Sequence, residues 1–232
     1  MPTYIITDNT IAQNATGTQY TGVADNYCWS ISPTSNNGSN TALSVSNFGV
    51  GDNEYKFIRG DGLLNIPSSE TVTAATLYLY QETGGNSHPV DMRRFLQAWT
   101  EAGSNFNTYD GTNSWNTGGG LGAGTDRVST PISSTSIGTT TGQYYGLNCT
   151  SYVADVVSGV IASDEGVHLQ RGDIGNDSTF KLFTSSNGAD GQRPEWVVTT
   201  TAGSGRIMGG LAGHGGLAGL GGIAGIRGGL AG

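Results

Sequence analysis

TAATLYLYQ, residues 73–81, is the stretch that decides the fold. In an extended chain Ala75, Leu77 and Leu79 point one way, and Thr76, Tyr78 and Tyr80 the other. Strict alternation of this kind marks a strand with one face against a core. Outward from it, residues 55–58, 166–170, 179–184 and 195–200 carry further strand signals. Between them stand Gly84-Gly85-Asn86, Asp110-Gly111, Asn187-Gly188 and Asp190-Gly191, all residues suited to tight turns. Residues 112–142 are rich in Gly, Ser and Thr and poor in apolar residues, so an extended surface loop is expected there. Two short helices are expected to interrupt the β pattern. In residues 150–163, Val153, Val156, Val157, Val160 and Ile161 follow helical spacing, with Thr150 as the cap. Near residues 93–99, Phe95, Leu96 and Trp99 suggest a turn or two of helix. The fold class is therefore all-β: a jelly-roll-like β-sandwich over residues 1–203, with one or two short helices.

Composition agrees. Of 232 residues only 12% are charged, and the formal net charge is −8, against a usual charged share near 25%. Some 200 residues suffice for one sandwich with its own core. An acidic chain is a poor ligand for nucleic acid or for anionic membranes, which want basic surfaces. The start, Met1-Pro2-Thr3-Tyr4-Ile5, has neither the basic residues nor the apolar run of a secretion signal. A polar, turn-rich composition suited to the outside of a cell thus lacks an export signal. A virion protein, assembled in the cytoplasm and released by lysis, reconciles the two, and so would a truncated chain. Cys28 and Cys149 are too few for a disulfide scaffold. One bridge or two buried thiols both fit, and a reducing cytosol favours thiols.

Residues 204–232 form a distinct segment. From Met208 onward glycine falls at every third place: Gly210, Gly213, Gly216, Gly219, Gly222, Gly225 and Gly228. Each of the first six is followed by a larger residue: Leu211, His214, Leu217, Leu220, Ile223 and Ile226. The third place is Ala or Gly. Polyproline II has three residues per turn, so this winding gives one apolar edge and two bare faces. An α-helix would spread the large residues around the cylinder by roughly 60° per step, and a strand would throw them to both sides. Collagen shares the glycine spacing, but this tail has no proline. A membrane span fits the length, yet His214, Arg227 and the glycine content disfavour it. A flexible linker would not need the regular Leu/Ile row.

The tail resembles the polyglycine II segments of tailed-phage adhesins, in which such helices bundle side by side. The body carries a second resemblance. An aliphatic strand ending at Ile66-Pro67 is followed by VTAATLYLY (72–80), LQAWTE (96–101), NSWN (113–116), CTSYVADVVSG (149–159), GVHLQ (166–170) and RPEWVV (193–198). In order and spacing these resemble the DNRLRE domain family over about residues 5–200. That likeness implies a non-catalytic, carbohydrate-binding-module-like β-sandwich, with Trp99 and Trp196 in the core. IRGDGLLNIP (58–67) is a loosened form of the family pattern.

No catalytic constellation stands out. His88, His168 and His214 occur in three separate contexts, none with metal spacing or near a nucleophile motif. Glu101 is expected to hold a loop by hydrogen bonds. Asp173, Asn176 and Asp177 offer hard oxygen ligands and are weak calcium candidates beside the simpler reading of an Asx-rich hairpin. Arg-Gly-Asp occurs at 59–61 and 171–173, where Gly-Asp is ordinary turn chemistry. Trp29, Tyr109, Trp115, Tyr144 and Tyr145 lie in Gly- and Asn-rich segments and are the candidate sugar platform, with a core role for Trp115 as the alternative.

The expectation is a non-enzymatic structural or attachment protein of a tailed-phage virion, without cofactor. It would be a homo-oligomer, with a trimer the natural guess, in contact with other virion proteins and with a host-surface glycan as a further candidate. Neither nucleic acid nor membrane is an expected partner. Gly210, Leu211, Gly213, Gly216, Leu217, Gly219, Leu220, Gly222, Ile223, Gly225 and Ile226 are the expected assembly residues. The alternatives are a carbohydrate-binding or adhesion module of a bacterial surface structure, and an extracellular filament subunit.

Overall fold

A computed structural model describes residues 1–49, 52–173 and 180–203. The expected tail, residues 204–232, and Asn176 and Asp177 lie outside the described residues.

The described chain is all-β. Its strands are β1 (Thr3–Ile6), β2 (Thr18–Tyr20), β3 (Val23–Trp29), β4 (Ala42–Gly49), β5 (Asp52–Gly60), β6 (Glu70–Gly84), β7 (His88–Arg94), β8 (Ser133–Ile137), β9 (Gln143–Asn148), β10 (Val167–Arg171), β11 (Phe180–Thr184) and β12 (Glu195–Ala202). One sheet runs β2-β1-β12-β6-β9 and the other β3-β5-β10-β7-β8. Among these strands only β1 and β2 pair in parallel. β4 joins the end of β5, β11 joins the end of β6, and the two pair with each other. Hydrogen bonding therefore passes from one sheet to the other at that end of the sandwich.

Alternation along β6 does what its sequence dictates. Ala75, Leu77 and Leu79 are buried against Trp196 and Val198 of β12 and Leu147 of β9, while Thr76, Tyr78 and Tyr80 are half-exposed. Ile58, Val90, Met92, Val167 and Leu169 of the opposite sheet close this core. Helix α1 (Thr150–Val157) plugs one end with Tyr152, Val153, Val156 and Val157.

Several local expectations are corrected. Helix α1 stops at Val157, because Gly159 adopts φ 76° and turns the chain; Val160 beyond it is 75% exposed. Thr150 is not its cap. Cys149 holds that position, Asn148 Oδ1 accepts from Thr150 N at 3.1 Å, and the Thr150 hydroxyl bonds the Ala75 backbone. The expected helix near residues 93–99 is absent: Arg93 and Arg94 end β7, and Leu96 N and Gln97 N both donate to Asp126 O. Phe95 and Trp99 are drawn into a second core instead. The aliphatic stretch before Ile66-Pro67 is a 3-10 turn, Asp61–Asn65, rather than a strand. The loop expected over 112–142 contains β8, an edge strand whose SSTSI sequence offers only Ile137 to the core.

That second core lies on the outer side of the β3-β5-β10-β7 sheet. Ala24, Cys28 and Phe57 point away from the sandwich, and the chain between β7 and β8 folds over them, adding Phe95, Trp99 and Trp115. Cys28 and Cys149 are both free and buried, one in each core.

Candidate binding surfaces

The five aromatic side chains expected to bind sugar do not converge. Trp115 is 5% exposed, meets Phe57 edge-on and donates from Nε1 to Asn105 O at 2.9 Å. Tyr109 packs against it at 5.6 Å. Trp115 belongs to the second core, where a covered ring cannot stack on a sugar, and Tyr109 is half-buried against it. Trp29, half-buried, ties its Nε1 to Asp52 Oδ1 at 2.6 Å. Tyr144 and Tyr145 are consecutive on β9 and so face opposite sides. Tyr145 packs against the main core and donates to Thr140 O at 2.9 Å. Tyr144 meets Tyr80 at 5.3 Å and donates to Gly191 O or Arg193 O, and burial raises its phenol pKa.

Trp196 is fully buried in the sandwich core as expected, whereas Trp99, expected there too, is 2% exposed in the second core on the outer side of the sheet. Glu101 holds loops together. Its carbonyl accepts from Asn36 Nδ2 at 2.6 Å and from Asn26 Nδ2, and its carboxylate accepts from Asp25 N. Both Arg-Gly-Asp tripeptides fold back on themselves, with Arg59 paired to Asp61 and Arg171 to Asp173. Asp173 also meets His88 Nδ1 at 3.1 Å, and the Arg171 hydrogen bond holds its carboxyl below the usual range. Among the described residues, no three His, Cys, Asp or Glu side chains gather as metal ligands.

His168 sits at the centre of the second core's polar support. Arg127 Nη1 donates to its Nδ1 at 3.1 Å, so the remaining proton is on Nε2, which donates to Gly119 O at 3.2 Å. Burial, and then the Arg127 charge, push its pKa well down, keeping the ring neutral. Asp126 accepts from the backbone N–H groups of Asn116, Thr117 and Gly122, each at 2.9 Å. These contacts fix the long loop as a lid on the sheet.

Hollows on the described surface include a cleft of about 310 Å³ lined by Asn36, Gly38, Ser39, Glu101, Ala102 and Asn187. An apolar groove of about 320 Å³ runs between Leu64–Ser68 and the end of α1. Asp25 and Lys56, both fully buried, form a further polar feature inside the sandwich. Lys56 carried a sequence signal, since it is one of only two lysines and lies between Tyr55 and Phe57 in a strand. The site defines a class no narrower than an all-β sandwich with a lid-covered outer face. No family model matches the chain, and no curated protein is similar enough in sequence to count as a relative.

Proposed function

We propose that the chain is a non-enzymatic structural or attachment protein of a tailed-phage virion, either decorating the head or forming part of a tail adhesin. A DNRLRE-like sandwich faces outward, and the Gly-X-Y tail mediates assembly. One observation carries this reading: the period of three over residues 208–226 follows within a few residues of Gly203, the end of the described sandwich. Gly203 lies close against Ser69, where an added Cβ would be 1.9 Å from the Ser69 carbonyl oxygen. Bare glycine faces let backbones approach closely, and the Leu/Ile edge supplies apolar burial at about 25 cal/mol per Å². Three such chains can share a bundle, which favours a trimer by analogy. Free thiols at Cys28 and Cys149 suit assembly in a reducing cytosol. The test is Gly216→Val. Loss of assembly with an unchanged thermal transition of the sandwich supports close glycine packing, and normal assembly of this variant contradicts it.

Glycan binding by the sandwich is a second reading, favoured by the cleft between Asn36, Ser39, Glu101 and Asn187, whose amides and carboxylate suit sugar hydroxyls. Saturable polysaccharide binding that is lost in Asn187→Ala and kept in Trp115→Phe would support it. Absence of saturable binding would remove it.

A further inference from the structure

The two lysines of this chain have opposite surroundings. Lys181 Nζ donates to Gly138 O at 2.7 Å and to Gly85 O at 3.4 Å. Lys56 is fully buried, and its Nζ has no hydrogen-bond partner. The amine lies 5.2 Å from the centroid of the Phe183 ring. Among the described residues no direct contact neutralises it, and an isolated buried charge is among the costliest features a core can hold.

The strand register brings a carboxyl to the same place. β3 pairs with β5 so that Tyr27 is opposite Lys56 and Asp25 is opposite Ile58. Opposed residues share a face, which makes Asp25 the diagonal neighbour of Lys56 on the inward side, within reach of a long side chain. Asp25 is fully buried as well. Its Oδ2 accepts from Ser186 N at 2.7 Å, while its Oδ1 has no partner. Burial pushes the Asp25 carboxyl up and the Lys56 amine down, each toward its neutral form. One diagonal step of the β3–β5 ladder separates the two side chains, and an amine with a carboxylic acid is the reactant pair of an amide.

We propose that Lys56 and Asp25 condense into an intramolecular isopeptide bond that staples β3 to β5. The Lys56 Nζ lone pair attacks Asp25 Cγ; the Nζ–Cγ bond forms and one Cγ–O bond breaks. The hydroxyl leaves with a proton from nitrogen as water, so no oxidant, reductant or cofactor is required. The product is a neutral amide, which removes both ionisable groups from the core.

The bond does not depend on the assembly role of the tail. Its test is mass spectrometry of the purified full chain, intact and after digestion under denaturing conditions. The expected result is a chain one water lighter than its sequence and a branched peptide joining the segments that carry Asp25 and Lys56. Both signals disappear in Lys56→Arg and Asp25→Ala. Recovery of Asp25 and Lys56 in separate linear peptides, with the lysine amine open to acetylation in the denatured chain, overturns the proposal. Should either variant fail to fold, the wild-type digest decides alone.

Discussion

Phe57 and Trp115 meet edge-on, ring centroids 5.5 Å apart, on the outer side of the second sheet. Phe57 comes from a strand and Trp115 from the long loop, so this contact joins the lid to the sandwich. Phe95 stacks on Trp115 at 5.6 Å and meets Phe57 at 5.0 Å, closing a three-ring cluster. Truncating an aromatic in such a cluster removes its burial and leaves a cavity. Trp115→Ala is expected to lower unfolding free energy by about 3–5 kcal/mol. Urea denaturation measures this directly, and a change below about 1 kcal/mol would contradict a core role.

The lid has its own anchor. Asp126 is 3% exposed and gathers three backbone N–H groups. Asp126→Ala leaves those donors without their acceptor, at about 1–3 kcal/mol for each that stays buried. The variant should become sensitive to proteolysis within residues 112–132 well below its melting temperature. A digestion pattern equal to wild type would show that the aromatic cluster holds the loop without Asp126.

Much of the main core was legible. TAATLYLYQ alternates because β6 is covered on one face only; residues 55–58 and 195–200 lie inside β5 and β12, and 166–170 overlaps β10 from Val167 onward. The second core was hidden for a physical reason. Phe95, Trp99, Trp115 and Tyr109 reach it from irregular backbone, where apolar spacing follows neither period 2 nor 3.6. In residues 93–99 that spacing imitates a helix, while tertiary packing onto Phe57 sets the conformation. The Asp25–Lys56 arrangement was hidden as well, since pairing between β3 and β5 brings the two together and no local motif marks it.

Acid–base behaviour offers a sharper test at Asp164. Its Oδ1 accepts from Tyr152 Oη and from Gly166 N, its Oδ2 has no partner, and burial pushes its pKa up to about 6. A carboxyl raised in the folded state contributes stability that is full below its unfolded pKa and is lost as pH rises through the folded value. Wild type should therefore lose up to about 3 kcal/mol relative to Asp164→Asn between pH 4 and pH 7. Parallel pH–stability curves for the two proteins would contradict the shift.

Cys28 and Cys149 lie in separate cores, and burial raises both thiol pKa values. The native protein should resist thiol reagents and expose two reactive thiols on denaturation without reductant. One reactive thiol or none after denaturation would mean that the cysteines are modified or bridged.

Light scattering coupled to size-exclusion chromatography, comparing the full chain with a chain ending at Gly203, tests whether the glycine-period tail drives assembly. A tail that does so gives a trimer or larger assembly for the full chain and a folded monomer for the shortened one. The same oligomeric state for both, whether monomer or trimer, would contradict it.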